Sequence, residues 1–278
     1  MSKNFKRHLV ALFASLGIAL PAAASTFSTD YTDLWGTQSP NENGWGINLI
    51  QQGDVIFATM FVYAADNSAH WYSASDLSSS DGTTWTATLY ETRGPYFGAA
   101  SFDPTSVTRM PVGTMTLTFT GPNGGVLQYS VNGANVTKNI SRFSLRGNNL
   151  SGNYLGGMTA KCANGDDISI FHQLTVSQSG AQIGASVTLV VDFYNFSGIQ
   201  SQCRFNGSYG VTGRLNSVSG NYNCTYGTTP GNTGTFTISR IEATRNGFSG
   251  VLTAQDNFCT GGMTGYFGGV KDAFYSLP

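Results

Sequence analysis

Between residue 30 and residue 270, many separate segments alternate apolar and polar residues with a period of two. Thr114-Met-Thr-Leu-Thr-Phe-Thr120 shows this plainly, and Thr233-Gly-Thr-Phe-Thr-Ile-Ser239 repeats it. A period of two places every second side chain on one face of a strand, so segments like these bury one face and solvate the other. Between the alternating segments stand turn residues. Asn-Gly pairs begin at Asn43, Asn123, Asn132, Asn164, Asn206 and Asn246, and Asp81-Gly82 joins them. Asn-Gly and Asp-Gly suit the type I′ turns whose twist matches antiparallel hairpins. No segment after the first 24 residues carries a sustained 3.6-residue apolar stripe. The fold class is therefore all-β and antiparallel, with few and short helices.

Composition divides the chain in two. Trp35, Trp45, Trp71 and Trp85 lie in the first half, and Cys162, Cys203, Cys224 and Cys259 in the second. Arg146-Gly-Asn-Asn-Leu-Ser-Gly152 between them has linker chemistry, which sets modules at 25–147 and 148–278. The first half shows seven candidate strands, near 44–51, 54–63, 69–77, 83–90, 112–120, 124–131 and 134–143. Pro95, Pro104 and Pro111 mark a long loop in the same half. The second half shows eight, near 152–162, 167–178, 183–194, 201–210, 215–224, 233–242, 247–255 and 262–270. Eight short strands joined by tight turns suit an up-and-down barrel, lipocalin- or avidin-like in shape, because closure removes exposed edges. The first module reads as a barrel or a sandwich.

The N-terminus reads as a secretory signal. Lys3, Lys6 and Arg7 precede the apolar run Leu9–Leu20, and Pro21 precedes Ala22-Ala23-Ala24, an A-x-A cleavage site. The run falls short of the roughly 20 residues that span a bilayer. Residues 1–24 are thus expected to be removed, and a soluble chain, secreted or periplasmic, to begin near Ser25. Without the three signal-region bases it holds 11 Lys+Arg against 15 Asp+Glu, a net charge of −4. With no basic tract, the chain lacks the positive face that phosphate neutralisation needs, so a nucleic-acid partner is not expected.

Four cysteines in an exported chain argue for two disulfides. No pair has the C-x2-4-C spacing of a zinc loop. Three connectivities exist. The barrel reading favours one of them. Cys203 and Cys224 flank Gly213-Arg214 symmetrically, so a hairpin turning there sets them opposite each other. Cys162 and Cys259 lie near the first and last strands, which a closed barrel brings together.

Leu34-Trp35, Asn41-Glu42-Asn43-Gly44-Trp45-Gly46-Ile47-Asn48-Leu49, Gln52-Gly53-Asp54, Phe57–Tyr63 and His70-Trp71-Tyr72 resemble a domain of secreted β- and γ-proteobacterial proteins with the pattern W-x-n-E-x-G-W-G-l-x-l. Gly94-Pro95, Phe102-Asp103-Pro104 and Val112–Phe119 continue the likeness. Tyr209, Gly213-Arg214-Leu215, Val218–Tyr222, Cys224, Gly234–Phe236, Gly247-Phe248 and Gly268–Val270 are similar to its Gly-rich, Cys-containing companion domain. Gly36-Thr37 departs from the pattern, which is more aromatic there. The resemblance covers most of the exported chain and implies no catalytic residue or cofactor.

Catalytic signatures are sparse. The G-x-S-x-G elbow of α/β serine hydrolases does not occur; Gly247-Phe-Ser-Gly250 comes nearest. His70 and His172 are the histidines outside the signal region. Glu42, Asp54, Asp66, Asp76, Glu91 and Asp103 supply carboxylates to the first module, but turn capping explains most such residues. No D-x-D-x-D run suggests calcium. The aromatic residues Trp35, Trp45, Phe57, Phe61, Tyr63, Trp71, Tyr72, Trp85 and Tyr90 offer apolar faces for a sugar or flat ligand, although a small β-domain also fills its core with such rings. Parity puts Phe57, Phe61 and Tyr63 on one face, as it does Trp45, Ile47 and Leu49, and this regularity favours core.

The sequence reads as a secreted non-catalytic binding or surface-interaction protein without a cofactor or metal. Its expected ligand is a glycan or small apolar molecule held by Trp35, Glu42, Trp45, Asn48, His70, Trp71 and Tyr72, with Gln51 a further polar candidate. An eight-stranded second module also leaves space for one small ligand inside. The alternatives are an extracellular hydrolase using Glu42 or Asp103 with His70, and a protein partner or inhibitor of a secreted enzyme.

Overall fold

A computed structural model describes residues 29–37, 39–195, 198–226 and 229–272. The signal-like N-terminus lies outside the described residues. The chain forms two closed, antiparallel, up-and-down barrels of eight strands each. The first comprises β1 (Asp33–Thr37), β2 (Gly46–Gln52), β3 (Val55–Tyr63), β4 (Ala69–Ser78), β5 (Thr84–Arg93), β6 (Thr108–Gly121), β7 (Gly124–Val131) and β8 (Ala134–Arg142). The second comprises β9 (Gly152–Cys162), β10 (Asp167–Gln178), β11 (Ser186–Asn195), β12 (Gly198–Thr212), β13 (Leu215–Tyr226), β14 (Thr229–Thr244), β15 (Gly247–Asp256) and β16 (Met263–Lys271). Two 3-10 turns, Pro40–Glu42 and Pro104–Ser106, interrupt the loops. No helix among the described residues is long and apolar enough to cross a membrane.

The expected barrel in the second half is present, and the first half is a barrel rather than a sandwich. Its closing strand is β1, which joins Trp35 to Ile47 of β2 and to Arg142 of β8. Five residues with one apolar pair, Leu34-Trp35, are too few to show alternation, so β1 was not among the seven expected strands. Not every Asn-Gly pair makes a turn. Asn132 and Gly133 carry positive φ between β7 and β8, as the type I′ turn demands. Asn206-Gly207 instead lies inside β12, opposite Gly220 of β13. A Cβ on Gly220 would stand 2.0 Å from the Asn206 carbonyl oxygen, so glycine here permits close backbone approach.

The first barrel is filled. Trp35, Trp85, Met60, Met115 and Leu117 are buried inside it, and Tyr31 stacks on Phe119. At the end where β1 begins and β8 ends, Arg142 is buried. Its Nη1 donates to Asp33 Oδ2 at 2.9 Å, its Nε to the Pro122 carbonyl and its Nη2 to the Asp30 carbonyl. The second barrel meets the same group. Arg214, in the β12–β13 turn, donates its backbone N–H to Asp33 Oδ2 at 2.8 Å and its Nε to the Thr32 carbonyl, and pairs with the Asp30 carboxylate. Gly213 N–H donates to Ser144 Oγ in the connecting segment. Each barrel therefore has one end tied to the other barrel and one end directed away.

Two disulfides staple the second barrel. Cys203 and Cys224 pair across β12 and β13, where they are register partners. Cys162 ends β9 and bonds to Cys259 in the turn before β16, at the seam where β9 and β16 close the barrel.

Candidate functional site

The second barrel is solid at its tied end and hollow at the other. Towards the tied end its inward positions hold large side chains, among them Tyr154, Tyr209, Ile241 and Phe248. Towards the free end, where Ser201, Cys203, Cys224 and Ala254 point inward, small side chains leave a cavity of about 380 Å³. This falls within the usual range of roughly 300–1,000 Å³ for small-molecule sites. Met158, Ile168, Ile170, Phe193, Phe205, Leu252 and Met263 supply apolar wall, and Phe205 stacks on Tyr222 with ring centres 4.9 Å apart.

Polar groups collect at the rim. The Tyr222 hydroxyl donates to Asp256 Oδ2. Asp256 Oδ1 accepts the backbone N–H groups of Phe258 at 3.0 Å and Cys259 at 2.7 Å. This carboxylate thus caps the turn that carries the seam disulfide. Burial, reinforced by the Asp256 carboxylate, holds Tyr222 protonated far above the ordinary tyrosine range. Asp167, Ser169, Ser201, Asn232 and Tyr226 complete the rim.

One inward position deeper than Ile170 lies His172, 2% exposed. Its ring stacks on Phe267 at 4.7 Å and meets Phe193 edge-on at 6.0 Å. Among the described residues neither ring nitrogen has a partner of hydrogen-bond geometry. Burial pushes its pKa down to about 4, and the Gly268 backbone opposes this without reversing it.

The seven residues expected to form a ligand site in the first barrel occupy three different places. Trp35 is 1% exposed and donates its indole N–H to the Tyr31 carbonyl. Trp71 and Asn48 point outward. Trp71, 46% exposed, lies opposite Phe61, and Asn48 lies opposite Thr59. Phe57, Phe61 and Tyr63 share one face, as parity requires, but that face is the outer wall; the core reading of those three rings is corrected. Glu42, Trp45, His70 and Tyr72 gather at the free end of the barrel. Gln51 accepts the Tyr31 N–H at the opposite end.

At that free end several charged groups pair with one another, while the buried Trp45 indole N–H has no hydrogen-bond partner among the described residues. Lys138 Nζ meets Glu42 Oε2 at 3.0 Å. His70 Nε2 lies 3.9 Å from Glu91 Oε2, while Arg93 Nε donates to Glu91 Oε1 at 2.9 Å. Burial raises the pKa of Tyr72, and the Glu91 carboxylate adds to this. Neither Lys138 nor Glu91 was among the expected site residues. Lys138 shares parity with the buried Ile140, which is the signal that places it inward. Asp103 caps its own 3-10 turn by accepting Thr105 N–H and hydroxyl, which lowers its pKa. The two carboxylates considered for hydrolysis thus have structural partners, and His70 is paired with neither. Among the described residues no group of three or more His, Cys, Asp and Glu is placed to hold a metal ion.

Comparison with protein-family models and with curated protein sequences finds no match for this chain.

Proposed function

We propose that this is an exported, non-catalytic binding protein that takes one small apolar ligand in the free end of its second barrel. The cavity of about 380 Å³ carries the reading, since most side chains around it are apolar and the few polar groups converge at its rim. Export follows from the signal-like N-terminus. Two disulfides around the cavity suit an oxidising compartment and stiffen its walls. The proteobacterial resemblance agrees with export and adds no activity.

The test is a titration of the exported chain with 1-aminoanthracene, a neutral apolar fluorophore that brightens out of water. The expected result is saturable enhancement at one site per chain. Unsaturable or absent enhancement overturns the reading.

A second reading keeps a glycan as ligand and places it on the outer wall of the first barrel. Exposed Trp71, Phe61, Phe57 and Tyr63 there favour it, because ring faces pack against sugar C–H faces. All four tryptophans belong to this barrel, so intrinsic fluorescence across a glycan panel tests it. A saturable change lost in Trp71→Ala supports it; a flat response removes it.

A further inference from the structure

We propose that the cavity of the second barrel selects organic cations: an apolar body bearing an ammonium group is held in preference to equally apolar neutral or anionic molecules. The inference rests on the binding reading above and adds the charge of the ligand.

The first observation is the wall. Phe193, Phe205, Tyr222, Tyr226 and Phe258 line the cavity. The face of an aromatic ring is negative and attracts a cation, most strongly where water is excluded.

The second is an unbalanced charge. Asp256 receives three hydrogen bonds, from the Tyr222 hydroxyl and two backbone N–H groups, and all three donors are neutral. Among the described residues no Lys, Arg or His stands within ion-pair distance of it. A carboxylate offers about four acceptor sites, so a ligand donor still has room.

The third is the distribution of bases. No Lys, Arg or His lines the cavity among the described residues. The described turns at this end, 163–166 and 257–262, contain none either, while Asp166 adds a further acid. Lys161, exposed near the rim, pairs with Asp167 at 2.9 Å, and Arg204, between the lining residues Cys203 and Phe205, is exposed on the outer face of β12. Arg146, Arg214 and Arg245 stand at the opposite end. The mouth therefore presents negative charge against low-dielectric walls, a setting that concentrates cations and repels carboxylates.

Competition against bound 1-aminoanthracene tests this with three ligands sharing a ten-carbon chain: decylammonium, decanol and decanoate. The cation is expected to displace the probe at a concentration about tenfold below that of decanol. Decanoate is expected to be the weakest. Raising salt from about 0.05 M to about 0.5 M should weaken the cation and leave decanol unchanged. Asp256→Asn, which keeps an acceptor for the turn, should remove most of the cation's advantage. Equal or stronger displacement by decanol or decanoate overturns the charge preference while the cavity reading stands. If calorimetry detects no binding of any of the three, both the preference and the cavity reading fall.

Discussion

The Tyr222 hydroxyl donates its hydrogen to Asp256 at the open end of the second barrel, which links the cavity wall to the turn carrying Cys259. Tyr222→Phe keeps the ring that stacks on Phe205 and deletes only this bond. The expected cost is about 1 kcal/mol, read as a lower urea midpoint with unchanged slope. An unchanged midpoint would show that the bond adds nothing to the fold.

His172 predicts a pH dependence with its own window. Its pKa is near 6.5 when unfolded and about 4 when folded, so the unfolded chain takes up the proton first. Its contribution is complete above pH 6.5, falls as pH drops from 6.5 to 4, and levels off below. The full loss is about 3 kcal/mol. Asp66, Asp81 and Asp103 are held low by hydrogen bonds and act only below the ordinary carboxylate value of 3.8. Urea unfolding between pH 7.5 and 4 should therefore lose its slope in His172→Leu. A slope that survives the substitution assigns the effect to other groups.

Both disulfides lie in one barrel, so reduction should act on that barrel alone. The 97-residue separation of Cys162 and Cys259 implies a loss of about 5 kcal/mol in the chain-entropy model when both become Ser. The 21-residue separation of Cys203 and Cys224 implies about 3 kcal/mol. Tryptophan fluorescence, which reports the first barrel, should show the same unfolding midpoint with and without reductant. A shift of that midpoint would mean that the barrels unfold as one unit.

The contact between the barrels turns on Arg142, whose side chain is fully buried beside Asp33. Arg142→Met leaves Asp33 with the backbone N–H groups of Leu34 and Arg214 but without the Arg142 guanidinium. Loss of one member of such a pair costs about 3–5 kcal/mol. Calorimetry should show the first barrel's transition moved to lower temperature while that of the second barrel stays in place. A first-barrel transition at the original temperature would argue that Arg142 does not stabilise it.

Much of this fold is legible in the sequence, for a physical reason. Period-two alternation and Asn-Gly turns mark strands wherever strands are long, so all eight of the second barrel are recognisable, and the symmetry of Cys203 and Cys224 about Gly213-Arg214 follows from the hairpin. Parity says which residues share a face but not which face is buried. Phe57, Phe61 and Tyr63 are on one face, yet the interior opposite them was already occupied by Ile56, Ala58 and Met60. Aromatic rings are conspicuous in a sequence and point to the first barrel, whereas the cavity arises from small residues. Ser201, Cys203, Cys224 and Ala254 point inward at one end of the second barrel, and a run of small inward positions at matching heights is the signal that reveals it. That signal becomes visible only once the register between strands is known.

The central claim is that a ligand occupies this space, and filling the space tests it most directly. Ala254→Trp and Ser201→Phe each place a large ring in the cavity from opposite walls, so failure of one to fold leaves the other. The 1-aminoanthracene titration on each folded variant, confirmed by circular dichroism, is the measurement. Loss of saturable enhancement in the filled barrels is the predicted result, with the new indole of Ala254→Trp emitting at the short wavelengths of a buried ring. Unchanged probe affinity in both variants would contradict the account and place any binding elsewhere on the protein.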